Sequence, residues 1–314
     1  MTRRLNVALI GRTSMLLSAG KAISADGHRI GLVATCKHSG HEGVTEKDFE
    51  AFARALDAPF LMHPELTSPK GLATIASSQC DIAISMNWLN LIPSTVRDLF
   101  PLGIFNAHPG DLPRFKGNAC PNWAILMGEP KIGLTIHAMV DELDAGPIAD
   151  KSFFEVGEET DISDVYAWLA VGVPEAFRRI IRAASSGYLS FEAQPTDPAL
   201  GLRCYPRRPE DGRIDWTDSV DDVLRLIRAS ARPFDGAYSI LNAGRRLTIW
   251  KACREPAYEP FAAVPGQIAY SVTGDPVIAG VDGYIRLVDI TLENSSSQQE
   301  SKAAVLSSLR NRLT

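Results

Sequence analysis

Short apolar runs alternate with helical patterns through the first hundred residues, and few architectures accept that rhythm. Leu5–Ile10, Ile30–Thr35, Pro59–Met62, Asp81–Ser85 and Leu102–Phe105 read as strands. The first is apolar at every position but Asn6, as suits a parallel strand buried on both faces. Met15–Ala25, Lys47–Leu56, Pro69–Ser78 and Pro93–Leu99 read as the intervening helices, and Thr13 or Ser14 can cap the first of them. The pattern predicts an open, mostly parallel α/β sheet. After the first strand comes Gly11-Arg12-Thr13-Ser14, with no GxGxxG, so the dinucleotide fingerprint is absent. A capped helix start with Arg12 beside it favours an anion; a plain βα turn with a solvated arginine is the other reading.

The run from Leu102 breaks at Asn106-Ala107-His108-Pro109-Gly110. Alternation along an extended chain puts Asn106 and His108 on one side and Ala107 on the other. Pro109 removes a ladder donor and holds His108 extended, so the strand ends there. An amide and an imidazole are thereby presented together at the mouth of a strand. A second turn, Leu143-Asp144-Ala145-Gly146, follows 38 residues after Asn106. If it folds back beside the first, Asp144 supplies a carboxylate to orient or charge His108. Such a trio suits attack on a carbonyl: Asn106 donates to a developing oxyanion, and His108 moves a proton near neutral pH. No Ser or Cys is placed as a covalent nucleophile, so direct transfer to an amine competes with hydrolysis. A structural pair of turns is the alternative.

Composition narrows the field. The chain has 314 residues, 45% of them hydrophobic and 22% charged, which suits one large domain and one smaller one. No apolar run approaches the ~20 residues that span a bilayer, and the N-terminus lacks a signal-like apolar core. A cytoplasmic protein without a membrane partner is expected. The five cysteines never form a CxxC pair, which speaks against a disulfide framework or a zinc site; no metal is expected. Cys120 inside the key stretch leaves a reactive thiol open. His38 and His41 form a loop pair without a completing ligand. The net charge is −5, and residues 204–314 carry 14 Lys+Arg against 14 Asp+Glu, so neither part is built to grip a phosphate backbone by charge.

Further along, Met86-Asn87-Trp88-Leu89 follows a strand end, where open α/β sheets place ligands; Trp88 as plain core is the alternative. Gly133–Val140 and Pro147–Phe154 read as strands flanking the Asp144 turn. Ile162–Ala184 reads as a long amphipathic helix, kinked or broken at Pro174. Gln194–Cys204 has the Pro and Gly content of a linker. A helix over Val220–Ala231 and alternating segments from Gly236 to Ile290 predict a small all-β barrel or sandwich. Glu293–Glu300 reads as mobile and Ser301–Leu313 as a terminal helix. The expected division is 1–193, a linker at 194–204, and 205–314.

FNAHPGDLPRFKG, then WAI, then GLTIHAMVDELDAGPI closely resembles the folate-dependent formyltransferase family, over about residues 5–185. YPRRPEDGRIDW and LIRASARPFDGAYSIL are similar to the start of that family's OB-like C-terminal domain. The resemblance implies a Rossmann-like formyltransferase fold followed by a smaller β-rich domain, and 10-formyltetrahydrofolate as formyl donor. It implies that Asn106, His108 and Asp144 are catalytic, with a protonated His108 beside the oxyanion. It further implies donor contacts near Met86, Asn87, Trp88 and Leu89 and at Val140 and Asp141.

The acceptor is read from departures. The family's methionyl-tRNA enzymes carry a Phe-x-Gly-Thr-Pro-x-Phe turn and a basic insertion after the second strand. Here the turn is Ile10-Gly11-Arg12-Thr13-Ser14-Met15, and only Lys37 and Lys47 lie between residues 36 and 50, against three acids. With a neutral C-terminal part, phosphate neutralisation would contribute little. The pattern looks more like the enzymes that formylate a nucleotide-linked amino deoxysugar in lipopolysaccharide pathways. Arg12, Thr13, Arg207 and Arg208 are then candidate acceptor contacts. Methionyl-tRNA formylation is the alternative. A formyltetrahydrofolate hydrolase, or a non-catalytic folate- or nucleotide-binding homologue, is the second. A homodimer stays open.

Overall fold

The computed structural model describes residues 3–40, 42–242, 244–257 and 259–314; His41 of the loop pair lies outside the described residues. The chain divides into two compact units. One comprises Met1–Cys120, Ile132–Phe154 and Tyr166–Cys204, and the other Pro121–Lys131, Glu155–Val165 and Tyr205–Thr314.

The first unit is an α/β layer structure. Its strands are β1 (Asn6–Gly11), β2 (Arg29–Thr35), β3 (Phe60–Met62), β4 (Ile82–Met86), β5 (Ile104–His108), β6 (Lys116–Gly117), β7 (Lys131–Ala138), β8 (Ile148–Glu155) and β9 (Arg203–Cys204). Seven of them form one sheet in the order β3-β2-β1-β4-β5-β7-β8. The five from β3 to β5 are parallel to their neighbours, and β7 runs antiparallel to β5. Val7, Ala8, Leu9 and Ile10 are fully buried, which is why β1 is apolar at successive positions. The order reverses between β1 and β4, so the loops after them meet at the carboxyl edge, beside the end of β5.

The helices as far as α6 are α1 (Ser14–Ala25), α2 (Glu46–Ala55), α3 (Pro69–Ser78), α4 (Ser94–Arg97), α5 (Cys120–Leu126) and α6 (Ile162–Ser186), of which α5 after Cys120 and α6 up to Val165 fall in the second unit. Thr13 caps α1 by accepting the Leu16 N–H at 3.1 Å. Ser68 caps α3, with Pro69 at its first position. Two expectations need correction. Of the kink and the break expected at Pro174, the break is overturned: α6 runs through that residue as one helix, its apolar stripe of Val165, Leu169, Val173, Phe177 and Ile180 wholly buried, and that packing holds the helix across the lost hydrogen bond. α4 is a single turn rather than the seven-residue helix expected.

The second unit is built on α7 (Val220–Ser230) and five antiparallel strands: β10 (Ala237–Leu241), β11 (Arg245–Glu255), β12 (Ile268–Val272), β13 (Asp275–Ala279) and β14 (Tyr284–Leu292). Their order is β10-β11-β14-β13-β12. Ile227 and Val223 of α7 pack with Leu247, Ile249, Ile285 and Leu287 in one core. Residues 311–314 lie against both edges: Leu313 bridges Leu241, and Arg312 bridges Gln267 just before β12. Of the barrel and the sandwich, the first is what this seam produces. The final helix, α8 (Gln298–Leu306), starts three residues earlier than expected because Ser297 caps it through the Glu300 N–H. Gln298–Glu300 are therefore helical. Among the described residues no helix is long and apolar enough to cross a membrane.

Candidate active site

β5 ends in the trio's first two members. In the antiparallel pairing Asn106 lies opposite His137, and His108 opposite Thr135, which puts four polar side chains on one side of two strands. His108 is only 4% exposed. Its Nε2–H donates to the Phe115 carbonyl at 2.6 Å, and this bond fixes the tautomer. The other ring nitrogen, Nδ1, faces Asp144 Oδ2 at 3.5 Å. The turn between His108 and Phe115 is fastened from two sides. Thr135 Oγ1 donates to the Gly110 carbonyl at 2.7 Å, and Lys151 Nζ donates to Asp111 Oδ1 and the Leu112 carbonyl at 2.9 and 2.6 Å.

Asp144 sits at φ 49°, a left-handed conformation that costs a non-glycine residue about 1 kcal/mol or more. Its Oδ2 accepts the Gly117 N–H at 2.8 Å, and its Oδ1 lies 3.6 Å from His137 Nε2. His137 donates Nδ1–H to the Ala138 carbonyl at 3.0 Å, leaving Nε2 to accept from Asn106 Nδ2 at 3.3 Å. The Asn106 amide is thus oriented with its nitrogen inward.

Burial opposes ionisation of Asp144, but attraction to His108 once that ring is protonated, together with the Gly117 N–H, outweighs it and holds the carboxyl at about 2. For His108 burial dominates and lowers its pKa, favouring the neutral ring, while Asp144 and the Phe115 carbonyl pull the other way. The site therefore holds a fixed carboxylate beside an imidazole that is neutral at rest and stabilised if it gains a proton. The Cys120 thiol is buried, and the adjacent Cys204 thiol and desolvation both push it up, which makes it a poor nucleophile.

The remaining candidates lie on several loops. Met86 ends β4, its sulfur accepting from Thr13 Oγ1 at 3.3 Å. Asn87 has φ 54° and donates to Glu42 at 3.3 Å. Trp88 packs against the β1–β4 core and edges onto His63 at 5.7 Å. Leu89 and Leu91 are 45% and 54% exposed, and Val140 is 36% exposed. Asp141 accepts from Arg97 at 2.6 Å. Arg12 pairs with buried Glu42 at 3.2 Å and donates to the Lys37 carbonyl at 3.0 Å. Arg207 and Arg208 belong to the second unit, where Arg207 donates to the Asp211 carbonyl and Ser230 at 2.9 and 3.3 Å, and the Arg208 N–H donates to Asp211 at 2.7 Å.

Sequence reasoning did not single out His137, Thr135 or Gln194. Polar residues at alternate positions of the apolar strand Lys131–Ala138 signalled the first two. Gln194, which donates to the Asp144 and Gly146 carbonyls at 2.9 and 2.7 Å, had no signal: it opens what reads as a linker.

Residues 5–181 match the family model described as formyl transferase, and residues 207–304 match the formyl transferase C-terminal domain. Among solved structures, an N-formyltransferase from Helicobacter canadensis in complex with folinic acid and dTDP-3-aminofucose superposes with TM-score 0.67. It is 16% identical, over 90% of this chain and 98% of that one. WlaRD, a sugar 3N-formyl transferase crystallised with dTDP and 5-N-formyl-THF, gives 0.65 at 16% identity, over 93% and 99%. A HypX variant from Aquifex aeolicus gives 0.62 at 19% identity, over 91% of this chain but 44% of that one; the chain spans less than half the length of HypX. At these identities the likeness is one of fold.

Proposed function

The chain belongs to the formyl transferase family, and from that premise we propose that it moves the formyl group of 10-formyltetrahydrofolate to a primary amine on a nucleotide-linked amino deoxysugar. One observation carries the chemistry: His108 is tied by Nε2 to the Phe115 carbonyl with Nδ1 turned to Asp144, two residues from Asn106.

The donor's ring is assigned in this reading to the loops after β4 and β7. Leu89, Leu91 and Val140 leave apolar side chains exposed there, and the Arg97–Asp141 bond ties one loop to α4. When bound, 10-formyltetrahydrofolate supplies an electrophilic formyl carbon on a nitrogen leaving group. Asn106 donates to the formyl oxygen as negative charge develops on it. Neutral His108 takes the attacking amine's proton at Nδ1, and Asp144 stabilises the resulting imidazolium. His108 then returns that proton to the departing nitrogen. This differs from the imidazolium expected at the outset, because burial favours the uncharged ring.

The amino sugar rests on the sparse positive charge after β2, on the neutral charge balance of residues 204–314, and on the dTDP present with the sugar 3N-formyl transferase and the dTDP-3-aminofucose bound to the Helicobacter N-formyltransferase. Arg12 and Thr13 are the proposed acceptor contacts on the first unit. The test is incubation with 10-formyltetrahydrofolate and a panel holding dTDP-3-aminofucose, other nucleotide-linked amino sugars and Met-tRNA, read by mass. One formyl added to a sugar nucleotide supports the reading, and formylation of Met-tRNA alone overturns the acceptor. Loss of formyl to water indicates a hydrolase, and no turnover a binding homologue. His108→Ala should cost at least ~100-fold in rate with the true acceptor.

A further inference from the structure

Asp144 holds its carboxylate on a left-handed backbone position, and such a position persists only where neighbours over-determine it. One neighbour is the strand behind it. A Cβ on Gly146 would fall 1.7 Å from the Ala138 carbonyl, so the turn lies flush against β7 and cannot retreat that way. Residues 191–194 supply the second set of contacts. Phe191 stacks on Phe105 at 5.9 Å and 14°, next to Asn106. Glu192 exchanges both backbone hydrogen bonds with Ile148 at 2.8 Å, two residues past Gly146. From that docked strap, Gln194 Nε2 reaches the Asp144 carbonyl at 2.9 Å and the Gly146 carbonyl at 2.7 Å.

Both amide protons go to the two carbonyls that bracket the turn. Carbonyls only accept, so the amide cannot be flipped. Its Oε1 is buried with no partner among the described residues, a state that stability alone disfavours. A glutamate here would set a carboxylate against two carbonyl oxygens, and an apolar residue would leave both carbonyls unpaired.

We propose that Gln194 is a positioning residue for the reaction. It pins the Asp144 turn so that Oδ2 meets His108 Nδ1 and the Gly117 N–H, and it acts through Asp144 rather than on any substrate. The inference rests on Asp144 serving formyl transfer as described above, so the test separates the two. Steady-state transfer from 10-formyltetrahydrofolate to the sugar nucleotide selected by the panel is measured for Gln194→Met, Asp144→Asn and the double variant. In parallel, carbon-13 NMR follows the Asp144 carboxyl against pH in the full chain, with Asp144→Asn for assignment.

Gln194→Met should lower kcat at least ~10-fold, in line with the cost of a misplaced catalytic group, with the donor KM within about 3-fold. The double variant should lose no more than Asp144→Asn alone, because coupled residues are non-additive. The Asp144 midpoint should rise towards that of an ordinary carboxylate. If Gln194→Met keeps the wild-type kcat and midpoint, or multiplies the loss of Asp144→Asn, the positioning role is wrong. If Asp144→Asn is fully active, the reading of the site falls instead, while the NMR midpoint still decides the clamp. Gln194→Glu, equal in size, should fail in the same direction and serves if the methionine variant does not fold.

Discussion

Gly110 lies in the turn after His108, and a methyl group there tests how tightly that histidine is held. Its backbone is not in the left-handed region, so alanine meets no conformational barrier and acts only through its added carbon. That carbon would fall 2.5 Å from the Phe115 carbonyl oxygen, 2.6 Å from His108 Nε2 and 2.9 Å from His108 Cδ2. Ordinary carbon contacts begin at ~3.5 Å, so about 1 Å of movement is needed. None of the three atoms is the free end of a flexible chain. Either the Phe115 carbonyl retreats or the ring turns, and the 2.6 Å bond that sets the tautomer is lost both ways. A displacement of this size costs about 100-fold in rate, and an unmade buried hydrogen bond costs roughly 1–3 kcal/mol of stability. Formyl-transfer kcat and urea unfolding would be measured together. Gly40→Ala is the control, because a Cβ there meets nothing within 4 Å. A Gly110→Ala enzyme within 3-fold of the wild-type kcat would refute the claim that the Phe115 bond sets the working geometry of His108.

Three other expectations follow from the same site. Asn106→Ala should lower kcat by ~10²–10³, the cost of one oxyanion donor, with substrate KM nearly unchanged; a pure KM effect would assign Asn106 to binding. Asp144, held at about 2 against an ordinary 3.8, contributes about 2 kcal/mol of stability above pH ~4 that is lost as pH falls towards 2. In urea titrations the deficit of Asp144→Asn should therefore be full at neutral pH and vanish towards pH 2, and a deficit independent of pH would contradict the assignment. Arg97→Ala frees the loop carrying Asp141 and should raise the donor KM several-fold while leaving kcat intact, measured by varying 10-formyltetrahydrofolate.

How much of this is visible in the letters depends on which atoms do the holding. Strands buried on both faces, such as Val7–Ile10, announce themselves as apolar runs, and the alternation that sets Asn106 and His108 on one side is a property of any extended chain. The pairing of β5 with β7 is different: it joins residues 31 apart and places His137 against Asn106, and no local pattern encodes a register across that distance. The Phe115 carbonyl and the Gly117 N–H are backbone groups that every residue possesses, so their roles exist only once the chain has turned. Gln194 sits among prolines, and a linker composition conceals a residue whose amide is spent on two carbonyls 48 and 50 positions away. The helix through Pro174 shows the converse, where packing overrules a strong local rule.

The seam made by residues 311–314 bears on the order of events as the second unit comes off the ribosome. Ile240 and Thr314 exchange backbone hydrogen bonds at 2.9 Å, and Leu313 donates to the Gly266 carbonyl at 2.8 Å. Until those residues emerge, β10 and β12 have been synthesised but each has one side unpaired, and an unpaired strand side is a template for association with other chains. The contact that removes this hazard spans 74 residues, so its closure is slow relative to the hairpins that precede it. The sheet and its core can thus form before its edges are protected, and the interval between the two is when a nascent chain is most open to chaperones or to its own neighbours on a polysome.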